Sequence, residues 1–217
     1  MRPRPFIGIL SLLLVTLSPC VAAQSPAAPS PAPALRSAYG DKIRLSGLPN
    51  AGKISDSLFR GAQPNSEGFQ QLKSLGVTTI VDLRGEDPNK IAWERKQAES
   101  VGIHFVNIPV SGWGPPTDDQ IAQFLSLFRD AREKVYVHCR FGEDRTGVFV
   151  AAYRMAHDGW PPSQAVREMY YFGFNGFWHP AMKSFVREFP DKLKTANVLA
   201  PSEKRDAVPA IASASQK

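Results

Sequence analysis

Cysteine is nearly absent from this chain of 217 residues, with one at position 20 and one at position 139. The first lies in an opening stretch, "MRPRPFIGILSLLLVTLSPCVAAQ", that reads as a secretory leader. Arg2 and Arg4 make it basic, Phe6 to Leu17 is apolar but too short to span a bilayer comfortably, and Val21-Ala22-Ala23 offers small residues for cleavage. A short membrane anchor is the alternative, and Pro19 fits poorly with a lipid-modified Cys20. Removal of residues 1–23 leaves Cys139 alone, which excludes an internal disulfide and a cysteine-based zinc site. Histidine is scarce as well. His104, His157 and His179 show no metal-ligand spacing and read as structural, so neither a metal nor a cofactor is expected. The formal charge of +6 falls to a mildly basic value once the leader arginines go. No Lys/Arg-rich run argues for nucleic acid, and no membrane span is expected after leader cleavage. There is no internal repeat.

What remains is an ordinary globular composition, 43% hydrophobic and 21% charged, enough for one well-cored domain with tails. Residues 24–39 are rich in Pro, Ala and Ser and read as a linker; residues 196–217 read as a disordered tail. The folded unit is expected over 40–195, as a monomer, in a secreted or periplasmic setting. Within it strands and helices alternate. "DSLFRGAQP" begins with a short strand. "NSEGFQQLKSLG" sets Phe69, Leu72 and Leu75 on one helical face and stops at Gly76. "VTTIVDL" is a buried strand, and Asp87-Pro88 caps a helix reaching about Ser100. "IHFVNIP" and "KVYVH" are further strands. Between them Thr117 and Gln120 form a capping box ahead of Ile121, Phe124, Leu125 and Phe128. "TGVFVAAYRMA" is apolar nearly all round and reads as a buried helix. One later helix is expected to bury Val166, Met169 and Tyr170, another Met182, Phe185, Val186 and Phe189. Such alternation predicts an α/β fold, a mostly parallel central sheet flanked by helices, with the ligand beyond the carboxyl ends of the strands.

The segment "CRFGEDRT" sits between a strand and that buried helix. Its backbone N–H groups, turning within so few residues, form a nest for an anion, and the helix dipole adds to it. Gly142 allows the bend, and Arg145 offers a fork of donors matched to two phosphate oxygens. The same positive field favours Cys139 as a thiolate, a nucleophile facing phosphorus.

"HCRFGEDRTG" resembles the His-Cys-x5-Arg-Thr-Gly signature of the cysteine-dependent protein tyrosine phosphatases, and within them the compact dual-specificity type with its bacterial secreted members. "LFRGAQP" and "TTIVDLRGE" resemble that group's first two strand ends, so the likeness covers roughly 55–190. It implies a tyrosine-phosphatase-like fold whose phosphate-binding loop lies between the strand and the buried helix. It implies a phosphocysteine on Cys139, a phosphate clamp in Arg145, thiolate assistance from Thr146, a brace in His138, and backbone donors from Arg140, Phe141, Gly142, Glu143 and Asp144. Gly147 closes the signature. The substrate would be a phosphorylated protein, lipid or inositol phosphate.

The family's general acid, an aspartate about thirty residues before the cysteine, has no counterpart in "PVSGWGPP"; Gly112 stands near its place. Asp118 and Asp119 follow, in a first helical turn where acids serve stability. Asp144 is the other candidate, since "GEDRT" resembles the loop of myotubularin-type lipid phosphatases; a brace bonded to backbone N–H groups is its alternative. Arg60 and Arg84 either line the pocket or form surface ion pairs. Trp113 stacks on a substrate or pins its loop, and "YYFGFNGFWHP" reads as packing. A binding domain without turnover and a rhodanese-like sulfur transferase remain open alternatives, the latter opposed by the Arg-Thr close of the loop.

Overall fold

The computed structural model describes residues 39–195; the expected leader, the linker up to position 38 and the tail from 196 lie outside the described residues. The elements in chain order are β1 (Asp41–Lys42), β2 (Gly52–Lys53), β3 (Leu58–Ala62), α1 (Ser66–Ser74), β4 (Thr79–Asp82), α2 (Pro88–Ser100), β5 (His104–Asn107) and α3 (Asp118–Ser126). A 3-10 turn (Leu127–Arg129), β6 (Val135–Cys139), α4 (Asp144–His157), α5 (Pro162–Tyr171) and α6 (Pro180–Thr195) complete them.

The six strands form one sheet in the order β1-β2-β3-β6-β4-β5. The four from β3 to β5 run parallel, with Ala62 beside Cys139 and Asp82 beside His138. Their carboxyl ends therefore share one edge. The mostly parallel α/β sheet expected from the sequence is present. The antiparallel β1–β2 hairpin was not anticipated. Each of its strands has two residues, too few to show the alternation by which a half-buried strand is read.

Local chemistry fixes the starts of α2 and α3 as expected: Asp87 precedes Pro88 at the start of α2, and Thr117 with Gln120 forms the reciprocal capping box of α3. Asn65, not read as a cap in the sequence, caps α1. Tyr170 departs from expectation. It is exposed, while Met169 and Phe172 beside it are buried, because the α5 face turned to α4 and α6 is set by Ala165, Val166 and Met169.

The sheet separates two cores. Leu58, Val81, Val135, Val137 and Cys139 face α3 to α6, with Phe149, Met169, Met182 and Phe189 packed over them. Phe59, Ile80, Phe105 and Tyr136 face α1 and α2, against Phe69, Leu72 and Ala98. Successive residues of a strand point to opposite faces. Hence Cys139 lies on the α4 side of the sheet and His138 on the α2 side.

Gly61 shows how tightly β3 and β6 are matched. A Cβ there would overlap the Tyr136 hydroxyl, which donates to the Ala62 carbonyl at 2.7 Å. Gly61→Ala is expected to lower stability by about 1–3 kcal/mol through overpacking. Chemical denaturation checks this, and combination with Tyr136→Phe should recover part of the loss.

Candidate active site

Cys139 ends β6, and the chain turns through residues 140–143 into α4. Gly142 has φ +70°, a left-handed value suited to glycine, and a Cβ on it would run into the backbone of Gly61 and Ala62. The loop therefore rests directly on β3. The Cys139 side chain is only 4% exposed. Burial pushes its thiol pKa up, but the Thr146 side chain, the Thr146 N–H, the positive charge of Arg145 and the Gly142 N–H outweigh this, so the thiol lies below its ordinary value. The Thr146 side chain is fully buried and is the largest of the influences that lower the Cys139 pKa.

Arg145 is buried beside the loop. Its Nη1 and Nη2 donate to the two carboxylate oxygens of Glu86 at 2.9 and 3.0 Å, and Nη1 approaches the Leu83 and Val110 carbonyls at 3.4 and 3.3 Å. The Arg145 hydrogen bonds hold Glu86 far below the usual carboxylate range, at about 2. Glu86 sits on the segment after β4, at the end of the "TTIVDLRGE" stretch that carries the resemblance, but nothing in the sequence marks it as the partner of an arginine nearly sixty residues away. It holds the guanidinium fork ready, and an anion entering the loop would have to share or take over that fork.

Beneath the loop, His138 Nε2 lies 2.6 Å from Glu94 Oε1 and Nδ1 lies 4.0 Å from Asp82, all three residues buried. Arg84 joins them, donating to Asp82 at 2.8 and 2.9 Å and to Glu94 at 2.8 Å. It also donates to Gln63 Oε1 at 2.7 Å. Arg84 was expected in the pocket wall or at the surface; the structure commits its guanidinium to this buried network. Asp82, Glu94 and His138 are close enough to hold a metal ion, but the Arg84 cation already bridges the two carboxylates. The residues do not fit a metal. Burial alone would lower the His138 pKa; the charge and hydrogen bond of Glu94, with Asp82 behind, raise it to about 9.

Asp144 opens α4. Its Oδ1 accepts from the Asn175 N–H at 3.0 Å and its Oδ2 lies 3.4 Å from His179 Nε2. These contacts are those of a brace to the segment before α6. Glu143 lies against Gly173, and burial followed by the charge of Asp144 raises its pKa. Asp118 pairs with Lys192 at 2.9 Å, and Asp119 shares its helical turn. Gly112 faces open space: a Cβ there meets nothing within 4 Å, and its φ is not in the left-handed region. Trp113, 73% exposed, lies with its ring 5.5 Å from that of His179. His179 thus belongs to the rim of the site, although its sequence spacing marked it only as structural. Phe141 is 59% exposed, with the Arg140 guanidinium 5.1 Å from its ring centre. Gly147 packs in α4 where a Cβ would stand 3.3 Å from Met169. Phe172 and Phe174 of the aromatic segment are core, whereas Tyr171, Phe177 and Trp178 are exposed.

The arrangement places a buried, acidified thiol under inward N–H groups beside an arginine fork. Such a cradle can hold a tetrahedral oxyanion with sulfur in line for attack on it.

Comparison with known proteins agrees with this geometry. Residues 49–187, well over half of the chain, match the family model described as "DSP-PTPase phosphatase fused to NAD+ Kinase". The chain is 32% identical over 130 residues to the dual specificity protein phosphatase TpbA of Pseudomonas aeruginosa, covering 58% of this chain and 55% of that protein. It thus spans about half the length of this curated relative. The crystal structure of a Cys-to-Ser form of P. aeruginosa TpbA in complex with pTyr superposes with a TM-score of 0.59 at 25% identity, covering 70% of this chain and 91% of that one. The core catalytic domain of the PP-IP phosphatase SIW14 from S. cerevisiae has a TM-score of 0.58 over 72% of this chain and 98% of that one; at 18% identity this likeness is one of fold.

Two outcomes test the electrostatics. The His138 charge is shared with Glu94 only in the folded state, so its contribution is complete below the unfolded-state pKa of about 6.5 and is lost as pH rises through about 9. The melting temperature should fall between pH 7 and pH 10, and Glu94→Gln should flatten that fall. Iodoacetamide alkylation of Cys139 should titrate below an ordinary thiol, and Thr146→Val should move the midpoint up.

Proposed function

The chain belongs to the family of dual-specificity-type cysteine-dependent phosphatases, and we propose that it hydrolyses phosphate monoesters through a phosphocysteine intermediate, without a metal. The observation that carries this reading is the Cys139 thiol, buried yet acidified by Thr146, Arg145 and the Gly142 N–H. In the first step the thiolate attacks phosphorus, the S–P bond forms and the ester P–O bond breaks. In the second, water attacks the phosphocysteine, inorganic phosphate leaves and the thiolate is restored. Thr146 stabilises the sulfur when it departs, and Arg145 with the loop N–H groups follows the charge on the phosphoryl oxygens.

The leaving oxygen also needs a proton, and the carboxylates near the loop are poorly placed to give one: Glu143 has a raised pKa but its side chain lies against Gly173. Glu86 is ionised in the Arg145 pair, Asp144 is bonded to Asn175 and His179, and Asp118 is paired with Lys192. A weak proton donor favours good leaving groups. A phenol, with a pKa of about 10, departs far more readily than an alkoxide. We therefore favour aryl phosphates, phosphotyrosine above phosphoserine. The pTyr complex of TpbA supports the same preference. The exposed rings of Phe141 and Trp113 supply apolar surface beside the cradle for such a ring. Phosphoinositides and inositol phosphates remain within the proposal through Arg140, which is exposed at the loop. A secreted or periplasmic site of action, as a monomer, completes the reading and rests on the leader residues and on a site built from one chain. No helix among the described residues is long and apolar enough to cross a membrane.

The test is phosphate release from an aryl phosphate by the purified chain with EDTA and reductant. Cys139→Ser should abolish turnover, a loss of at least about 1,000-fold, since the nucleophile itself is removed. Absence of turnover in the wild type with its thiol confirmed free would overturn the reading, and a persulfide trapped on Cys139 would assign sulfur transfer instead. Gly112→Asp should raise turnover about 10- to 100-fold, more on alkyl than on aryl phosphates, because the resemblance puts the family's acid near this position and a Cβ there meets nothing within 4 Å.

A further inference from the structure

A peptide unit is planar and trans, so its C=O and N–H point to opposite sides. Carbonyls of a loop that are drawn outward force the N–H groups of the same peptides inward. Along the loop after Cys139, each such carbonyl is held from behind. The Arg140 carbonyl accepts from the Gln63 N–H at 3.5 Å. The Phe141 carbonyl accepts from Asn50 Nδ2 at 3.2 Å. The Gly142 carbonyl accepts from Asn50 Nδ2 at 3.2 Å and from Arg60 Nη2. The N–H groups of these peptides belong to Phe141, Gly142 and Glu143. The Gly142 N–H does reach the Cys139 sulfur, as this geometry requires.

Both side-chain donors are held at some cost. Asn50, in the β1–β2 turn, has φ +48°, a left-handed value that is unusual outside glycine. The same Nδ2 also reaches the Phe172 carbonyl at 3.0 Å, so one amide group ties the loop to the end of α5. Arg60 on β3 is completely buried. Its guanidinium lies 4.1 Å from the Phe172 ring centre, and its Nε and Nη1 have no hydrogen-bond partner. A buried cation with idle donors is expensive unless a charge elsewhere compensates it. Burial lowers its pKa to about 10, so it stays protonated at neutral pH, and Cys139 leads the negative groups that act on it.

We infer that Asn50 and Arg60 are positioning residues of the phosphate cradle: together they draw the Phe141 and Gly142 carbonyls outward, which aims the Gly142 and Glu143 N–H groups at the anion, and Arg60 sets a buried positive charge behind the thiolate. The inference rests on the phosphatase reading for the identity of the anion, but its readouts need no turnover. They are the affinity for inorganic phosphate by calorimetry and the midpoint of Cys139 alkylation by iodoacetamide against pH.

Asn50→Gly removes the donor while suiting the left-handed backbone, so the fold should hold. It is expected to weaken phosphate binding about tenfold, the value of a hydrogen bond to a charged ligand, with the melting temperature little changed. Arg60→Met is expected to raise the alkylation midpoint, and Arg60→Lys, which keeps the charge, to restore most of it. If Asn50→Gly leaves phosphate affinity within about twofold of wild type and Arg60→Met leaves the alkylation midpoint unmoved, the two residues serve stability alone and the inference is overturned. Should Arg60→Lys and Arg60→Met shift the midpoint equally, the charge has no part in it. A wild type that binds no phosphate and shows an ordinary thiol would sink the phosphatase reading itself, a result distinct from either of these.

Discussion

The closeness of Gly142 to the backbone of β3 is the constraint on which the rest of the site depends. Only a residue without a Cβ fits against Gly61 and Ala62, and only a left-handed φ turns the chain back there. Once the loop is seated, the Gly142 and Thr146 N–H groups meet the sulfur, and α4 begins at Asp144 with its dipole directed at the same point. A thiol buried this deeply would otherwise resist ionisation. The Thr146 side chain, the backbone donors and the charge of Arg145 reverse that tendency, and donors so placed are suited to an anion as well as to a thiolate.

The sheet supports the loop through alternation along β6. Cys139 faces the α4 core, and His138 faces the other way into Glu94 of α2. The network of His138, Glu94, Asp82 and Arg84 balances two positive groups with two carboxylates in a region closed to water. Its net stabilisation need not be large, because desolvation offsets much of the attraction. It does tie β4 and β6 to α2 near the edge where the strands' carboxyl ends meet. From that edge Glu86 reaches Arg145, so Arg145 and Cys139 are held by strands that are neighbours in the sheet.

Much of this was legible before the structure. The strands 58–62, 79–82, 104–107 and 135–139 and the caps Asp87 and Thr117 follow from apolar patterning and from side chains that bond free N–H groups. The loop from Cys139 to Thr146 was legible because thiol, glycine and arginine lie within one short segment. The β1–β2 hairpin was not, since two-residue strands carry no period. Tyr170 was misjudged because which aromatic on α5 is covered depends on where α4 and α6 pack.

The sequence by itself determined the order of strands and helices, the anion-binding turn and the nucleophile within it, because each is written in neighbouring residues whose physical preferences are local. Tertiary structure alone decided what surrounds them. Glu86, Glu94 and Asn50 reach the site from segments 44 to 92 residues away, Arg60 donates from its guanidinium to the Gly142 carbonyl, and Arg84 turns inward rather than to the pocket. Such partners are chosen by the meeting of strand ends in a folded sheet, a relation of distance in space that no spacing along the chain encodes.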